Sequence, residues 1–559
     1  MYIKRIKIEN FRGIKGMDWI LENKLLCLIG ASDSTKTTIL DAIEYALYPY
    51  WNLNITNTDF YNCDLTSPIL IQVTIGNIPD YFIDENTYGL YIRKFVLDSE
   101  EDDVPGNDDE VFLTIQLSVN EFFEQDWKVI TNRGIEKNIS YKDRAKLKVA
   151  RIGEFIDKDF YIGRNSILKS YIENTNDLNK QTFSILQSIK RQDIDTTSVS
   201  GAFEKIKKVI DEYNIKLDSD LSLELEMKSS DLNISNIGIS DGNLPVNRKG
   251  TGTKRLLSSI LNLEGDNDSS CVLIDEIEYG LEPYRIADLL YKLISKDRQV
   301  ILTTHSTIPV TELSYDNLIL CRSSNGETKC LTIPIEFQRF LRKYPYAFLS
   351  KKILVVEGAT EWGIIRYFNH IWSSDNFSLA YSSGIVIDGN GGTSSINTAK
   401  KFKNLEYDVA IFIDGDDSVT NKKAEELTNI KVLRLKDSYN MEKLILEKLN
   451  FQNLSKIINI MVELKSLEFV KSLINEEFNI NTLDIEELNK SFTEEEIRNK
   501  LYNILIKKDN KNKDIFKSTS YGEKLGELIN ELSNKDFKES EILELIEEVR
   551  IWFNGIKKQ

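Results

Sequence analysis

The sequence predicts an α/β protein with two successive sheets, each covered by helices, and a mainly helical C-terminal region. Three observations carry this. Apolar runs such as "LLCLI", "CVLI", "VILTT", "ILVV" and "VAIFI" end in polar clusters, as strands buried on both faces of a parallel sheet do. "LIGASDSTKTTILDAIEYALY" carries one run through a glycine-containing loop into a stretch where Ile39, Leu40, Ile43 and Ala46 share a helical face. The last proline is Pro345, and only Gly522, Gly526 and Gly555 follow Asp417, so the Lys-, Glu-, Leu- and Ile-rich remainder reads as helix.

In chain order, residues 1–30 read as two strands, and 37–48 as the helix after the loop. Strand-like runs follow at 69–75, 88–96, 111–119 and 127–131, interrupted by the acidic tract "SEEDDVPGNDDE" (99–110), a solvated loop. Residues 142–215 read as mostly helical, clearest in the amphipathic "AFEKIKKVIDEYNIKL". Strand-like "LSLELEM" precedes "NRKGTGTKRLLSSIL" (247–261), a turn opening an apolar helix, and buried strands are expected at 271–276 and 299–305. A second α/β unit begins at "KKILVVEG" (351–358) and continues through "GIVIDGNGG" (384–392) and "VAIFIDGDD" (409–417).

The 559 residues suffice for about three or four domains or subdomains. Hydrophobic content of 41% and charged content of 28% suit a globular chain. A net charge of −17 argues against bulk electrostatic coating of nucleic acid or membrane, leaving room for a local basic strip. Five cysteines with no C-x-x-C indicate neither a disulfide framework nor a zinc site, and fit a reducing compartment. The N-terminus alternates like a strand rather than a signal peptide, and no run reaches the roughly 18 apolar residues of a membrane span, so the expectation is a cytoplasmic protein without membrane contact.

Ligands of α/β sheets gather at the carboxyl ends of parallel strands, and so do the polar clusters here. Gly30 to Thr38, including Asp33, resembles G-x-x-x-x-G-K-[ST], with Thr35 in place of the second glycine. Backbone N–H groups and the helix N-terminus would cradle phosphate, and Lys36 would neutralise the terminal phosphates. Thr37 and Asp275 would hold Mg²⁺, Glu276 would orient or deprotonate the attacking water, and His305 would sense the γ-phosphate of ATP. Threonine at position 35 is bulkier and stiffer than glycine, so ATP binding should persist with lower affinity or slow turnover.

A second constellation lies downstream. Glu357 ends one apolar run, Glu361 follows one helical turn later, and Asp414 and Asp416 end another run. Residues two apart on a strand point the same way, so these carboxylates should form a hard-oxygen cluster for Mg²⁺ or Mn²⁺, suited to two-metal phosphodiester hydrolysis. Asp388 is a weaker candidate for the same cluster.

Together, the loop at Gly30–Thr38, "KGTGTKR" (249–255), "VLIDEIE" and "TTHS" resemble the head of ABC ATPases of the SMC/Rad50 branch. The resemblance implies that Gly250, Gly252 and Lys254 belong to a signature motif closing on the γ-phosphate of a second subunit; read by itself, the segment is a turn and helix cap. It also implies that Arg12, in "IKIENFRGI", approaches nucleotide, and that the helical insertion serves dimerisation. The pairing of "VVEGATE" with D-G-D resembles the Toprim fold, which implies that Glu442 adds a further acidic ligand. The combined layout resembles the OLD (overcoming lysogenization defect) family and the nuclease subunit of the Gabija phage-defence system. It implies an ABC ATPase N-terminal part (1–141), a helical insertion (142–215), an ABC ATPase C-terminal part (216–345), a Toprim domain (346–445) and a helical extension (446–559).

The expected function is an ATP-regulated, divalent-metal-dependent DNA endonuclease or nickase in anti-phage defence or DNA processing. It would act as a homodimer or higher oligomer on DNA, with a helicase-like or effector protein as further partner. An ATP-dependent clamp or sensor with an inactive Toprim part, and a Toprim topoisomerase or primase, are the alternatives. Phosphate contacts to DNA are sought first in "IKKDNKNKDIFK" (506–517), equally readable as a solvated loop, and otherwise at Lys190–Arg191, Lys400–Lys403 and Lys422–Lys423.

Overall fold

The computed structural model describes residues 1–96, 99–101, 110–153, 157–161, 168, 200–212, 215, 217, 220–225, 237–242, 244–264, 271–295, 298–375, 377–509, 514–538 and 540–555. They divide into two compact units, Met1–Leu349 and Ser350–Gln559.

The first unit is organised by a 14-stranded mixed sheet. Five strands at one side run parallel, in the order Val149–Ile152, Cys271–Ile274, Gln299–Thr303, Leu25–Ile29 and Leu318–Ser324. Leu25–Ile29, Cys271–Ile274 and Gln299–Thr303 are buried at every position, which is why they read as unbroken apolar runs. The helix Lys36–Ala46 buries Ile39, Leu40, Ala42, Ile43 and Ala46 against the sheet core. Tyr2–Phe11, Ile14–Ile20, Ile69–Gly76 and Val111–Val119 form the antiparallel flank.

Two expectations need correction. Val149–Ile152 is not helical: it pairs in parallel with Cys271–Ile274, placing Arg151 opposite Leu273. Four residues are too few for periodicity to separate strand from helix. Of the run 88–96, only Arg93–Val96 is strand, and Gly89–Tyr91 is a single 3₁₀ turn. A Cβ on Gly89 would lie 2.4 Å from the Ile83 carbonyl oxygen, so the chain folds back there instead of extending. Within 142–215, Ser200–Glu212 is a helix, while residues 169–199, with Lys190–Arg191, lie outside the described residues, as does most of the acidic tract 99–110.

The second unit has a four-stranded sheet, all parallel, in the order Gly384–Asp388, Lys352–Val356, Asp408–Ile413 and Lys431–Arg434. Helices Ala359–Ser374, Gly392–Asn404 and Ser418–Glu425 connect the strands, and among the described residues seven more follow Arg434, from Met441–Lys448 to Glu541–Asn554. The helical C-terminal region expected from the scarcity of glycine and proline is present. Its helices share one apolar core with the sheet, through Leu354, Phe412, Leu444, Leu525 and Phe553.

One crossing positions the candidate chemistry. Helix Thr519–Glu531 lies on Ala359–Ser374 with glycine against glycine: a Cβ on Gly363 would fall 2.1 Å from the Thr519 carbonyl oxygen, and one on Gly522 2.1 Å from that of Thr360. Only glycine allows this approach, and it brings the segment before Thr519 to the start of the other helix. Among the described residues no helix is long and apolar enough to cross a membrane. Gly522→Val should destabilise the second unit by about 1–3 kcal/mol, read from urea unfolding of the full chain; an unchanged midpoint would contradict the crossing.

Candidate functional site

The loop after Leu25–Ile29 is built for close approach. Gly30 has φ +142°, and a Cβ there would lie 2.6 Å from the Cys321 carbonyl oxygen. Thr35 precedes the helix in the left-handed region, φ 61° and ψ 14°, where a β-branched residue is strained. Its hydroxyl does not cap the helix. It donates to the Ser34 carbonyl at 2.7 Å and shares a hydrogen bond with the Thr328 hydroxyl at 3.1 Å. Thr35 thus adopts the backbone form glycine adopts freely, with its side chain tied to the neighbouring strand Glu327–Thr332.

Lys36 is buried and turned back into the loop, donating to the Gly30 and Ala31 carbonyls (3.2 and 2.9 Å) and the Ser34 hydroxyl (3.1 Å). Burial lowers its pKa. These are bonds a phosphate could replace. Asp33, with φ 61°, is exposed on the loop, Thr37 is exposed in the first turn of the helix, and Thr38 is half-buried.

Across the sheet end, Asp275 Oδ1 accepts the hydroxyls of Thr37 (3.0 Å) and Thr303 (2.6 Å), while Oδ2 accepts Arg151 Nη2 (2.9 Å). A hydroxyl beside a carboxylate suits the hard Mg²⁺ ion. Glu276 is exposed and held at φ 45°, its N–H donating to the Thr303 hydroxyl. Glu278 accepts the Thr304 hydroxyl and the His305 N–H. The His305 pKa is lowered, first by burial and then by Lys36, so the imidazole favours its neutral form.

Arg12 bonds Asp59 (2.8 Å), Asp41 and the Tyr45 hydroxyl (3.0 Å). Gly250 precedes helix Thr251–Glu264, and Gly252 lets the backbone approach Gly280, since a Cβ there would sit 2.6 Å from the Gly280 oxygen. Lys254 pairs with Asp157 at 2.7 Å. Arg255, which sequence reasoning passed over, is buried and donates to the carbonyls of Gly153, Asp275 and Glu276, binding this helix to the strand ends.

In the second unit, Glu357 follows Lys352–Val356, with Oε1 accepting the Gly392 N–H and Oε2 the Asp414 N–H, both at 3.0 Å. Glu361 is buried in the first turn of its helix and reaches back to the Gly358 N–H at 2.9 Å, half of a capping box. Glu442 is buried beside it, accepting the Thr360 hydroxyl at 3.3 Å, so its helix does fold back on the site. Asp414 is buried, but Asp416 is exposed. The strand ends at Ile413 and turns at Gly415, where a Cβ would lie 2.0 Å from the Lys436 oxygen, so the two-residue alternation of a strand does not carry both aspartates inward. Asp388 accepts the Asn390 N–H within its own turn.

Negative charge is therefore concentrated. Burial first, then Glu361 and Glu442, pushes Asp414 well above the usual carboxylate range. Burial first, then Glu442, holds Glu361 at about 7. Asp414 Oδ1 and Glu442 Oε2 are buried without a hydrogen-bond partner. Lys517, the last residue of the lysine-rich run 506–517, is a cation whose charge acts on this group: burial would lower its pKa, and Glu442, Asp414 and Glu361 outweigh that and raise it. In the same run Lys507 pairs with Glu476, and 510–513 lie outside the described residues.

Orphaned buried carboxylate oxygens suit a divalent cation, although as the side chains stand, no three His, Cys, Asp or Glu among the described residues form a group able to hold one. Glu357 and Glu361 spend oxygens on backbone N–H groups, so ion binding requires these oxygens to be shared or turned.

Residues 25–308 match the family model described as "AAA domain, putative AbiEii toxin, Type IV TA system". No curated protein matches the chain. Among solved structures, the Smc head bound to the C-winged helix domain of ScpA is similar at 15% identity, covering 61% of this chain and 100% of that one, with a TM-score of 0.38. The Smc head domain with an extended coiled coil bound to the C-terminal domain of ScpA, derived from Pyrococcus furiosus, is similar at 15% identity over 61% and 98%, with a TM-score of 0.40.

The carboxyl cluster sets a pH dependence. An unfolded chain ionises Glu361 from about 4.5, whereas the fold retains the proton to about 7. The stabilising contribution is complete below 4.5 and is lost as pH rises through 7. The metal-free chain should therefore melt at progressively lower temperature across that window, and Glu361→Gln should flatten the slope. A wild-type profile without this fall would contradict the cluster.

Proposed function

Because the chain belongs to the AAA-domain family whose model spans residues 25–308, an ATPase type, we propose that its ATP site regulates a divalent-metal-dependent DNA endonuclease or nickase housed in the second unit. The observation that carries the nuclease reading is the buried group of Glu361, Asp414 and Glu442, with two orphaned oxygens and the Lys517 charge, beside the carboxyl ends of a parallel sheet. The order of motifs, similar to that of OLD-family nucleases with a Toprim domain, supports it. Anti-phage defence or DNA processing is the setting this reading suggests, with a homodimer or higher oligomer and a helicase-like or effector protein as partners.

At the first site, the Lys36 ammonium would exchange its three loop oxygens for phosphate oxygens, with the helix N-terminus adding its partial positive charge. Thr37 and Asp275 would hold Mg²⁺, Glu276 would orient water, and His305 would contact the γ-phosphate. Gly250, Gly252 and Lys254 would serve a second copy's nucleotide. Arg12 would act indirectly, through Asp41.

At the second site, Asp414, Glu361 and Glu442, with Glu357 and Asp416 alongside, would hold Mg²⁺ or Mn²⁺. A bound divalent ion supplies Lewis acidity for phosphodiester hydrolysis. Lys517 would place its charge beside a phosphate oxygen of DNA. One observation favours the clamp or sensor reading instead: the acidic side chains do not stand as an ion-holding group.

Two experiments test the proposal. Supercoiled plasmid incubated with Mg²⁺ or Mn²⁺, with and without ATP, should be nicked or cut by wild type. Asp414→Ala should lose that activity at least about a hundredfold while keeping ATP binding. Uncut plasmid under every metal would overturn the nuclease reading, and ATP-dependent dimers on that uncut DNA would favour the clamp. Separately, Thr35→Gly should bind ATP about fivefold more tightly, the equivalent of about 1 kcal/mol, because without a Cβ the loop backbone can come closer to phosphate. Unchanged or weaker binding would show that the threonine does not limit the site.

A further inference from the structure

Arg151 belongs to no sequence motif, yet it sits among the nucleotide-site residues. It lies on Val149–Ile152, next to the strand that delivers Asp275. Its side chain is 14% exposed and spans two elements. Nη2 donates to Asp275 Oδ2 at 2.9 Å and Asp41 Oδ1 at 2.8 Å, and Nε lies 3.4 Å from Glu44 Oε2. Asp41 and Glu44 are three residues apart, on one face of the helix that begins at Lys36. Nη1 is buried without a hydrogen-bond partner.

Resting on the nucleotide reading of this site, we propose that Arg151 is a positioning residue for magnesium. Its guanidinium ties the phosphate-loop helix to the Asp275 carboxylate, and by holding Oδ2 it presents Oδ1 to the Thr37 hydroxyl. The terminal torsion of an aspartate is broad, so an unrestrained carboxylate would sample many orientations. Thr303 and Thr37 both bond Oδ1, and Arg151 is the cation on Oδ2. The helix keeps a second tie through Arg12 to Asp41, so losing Arg151 removes the carboxylate's orientation before it removes the helix's attachment. Removing a group that orients a metal ligand typically costs about 10- to 100-fold in metal affinity.

The test uses the full chain, a fluorescent ATP analogue, and titrations in Mg²⁺ and in EDTA. The ratio of the two affinities is the readout, and it does not depend on turnover. In wild type, magnesium should tighten binding. Arg151→Gln should cut that magnesium enhancement about 10- to 100-fold, with affinity in EDTA within about twofold of wild type. Arg151→Lys, which keeps a cationic donor, should recover part of the enhancement and covers the case in which the glutamine variant does not fold. An enhancement unchanged in the folded variants overturns the proposal, as does an equal loss in both media, the mark of a purely structural ion pair. A larger enhancement also overturns it, since that would make Arg151 a competitor of the ion. Wild type that binds no analogue in either medium fails the nucleotide reading itself, a different result from any of these.

Discussion

Burying negative charge at the ends of parallel strands imposes the strongest constraint on this molecule, and the two units meet it differently. Desolvated carboxylates are costly unless protons, cations or hydrogen-bond donors compensate them. In the first unit Asp275 is compensated on both oxygens, by two hydroxyls and a guanidinium. A chain of ion pairs then runs from Asp275 through Arg151, Asp41 and Arg12 to Asp59. In the second unit Glu361, Asp414 and Glu442 crowd together, leaving two oxygens without partners and Lys517 as the nearby positive charge. The first site is poised but balanced, whereas the second carries surplus charge, satisfied in the metal-free chain by retained protons.

Backbone geometry is subordinated to these ends. Thr35 and Glu276 both occupy left-handed conformations, at the phosphate loop and beside Asp275. Gly415 admits the Lys436 carbonyl between the two aspartates, and Gly363 and Gly522 let two helices meet at backbone distance so that Lys517 arrives near Glu361. Strain and close approach of this kind persist only where surrounding packing over-determines them. Here that packing comes from fully buried strands and one continuous apolar core in the second unit.

Much of this was legible in the sequence because fully buried parallel strands are apolar without interruption, and because each ends abruptly in polar residues. The loop, the helix from Lys36 and the placing of Asp275, Glu357 and Asp414 at strand ends follow from such signals, whereas Glu442 was pointed to by the Toprim resemblance alone. What escaped has definite physical causes. Val149–Ile152 is too short for its period to speak, so Arg151 was invisible with it. Asp416 is exposed while Asp414 is buried, because strand alternation stops where the strand stops, at Ile413. Lys517 is one lysine among several in its run, and only the glycine-to-glycine helix crossing, a contact between distant segments, singles it out. The bonds of Arg12 to Asp41, Asp59 and Tyr45 join segments far apart in the chain, which no local pattern announces.

If the surplus charge in the second unit exists to receive divalent metal, Mn²⁺ titration of the nucleotide-free full chain, followed by electron paramagnetic resonance, will separate wild type from Asp414→Asn. Wild type should bind Mn²⁺ and the variant should lose it, with both proteins folded. Equal Mn²⁺ binding in the two, or none in wild type, would contradict it.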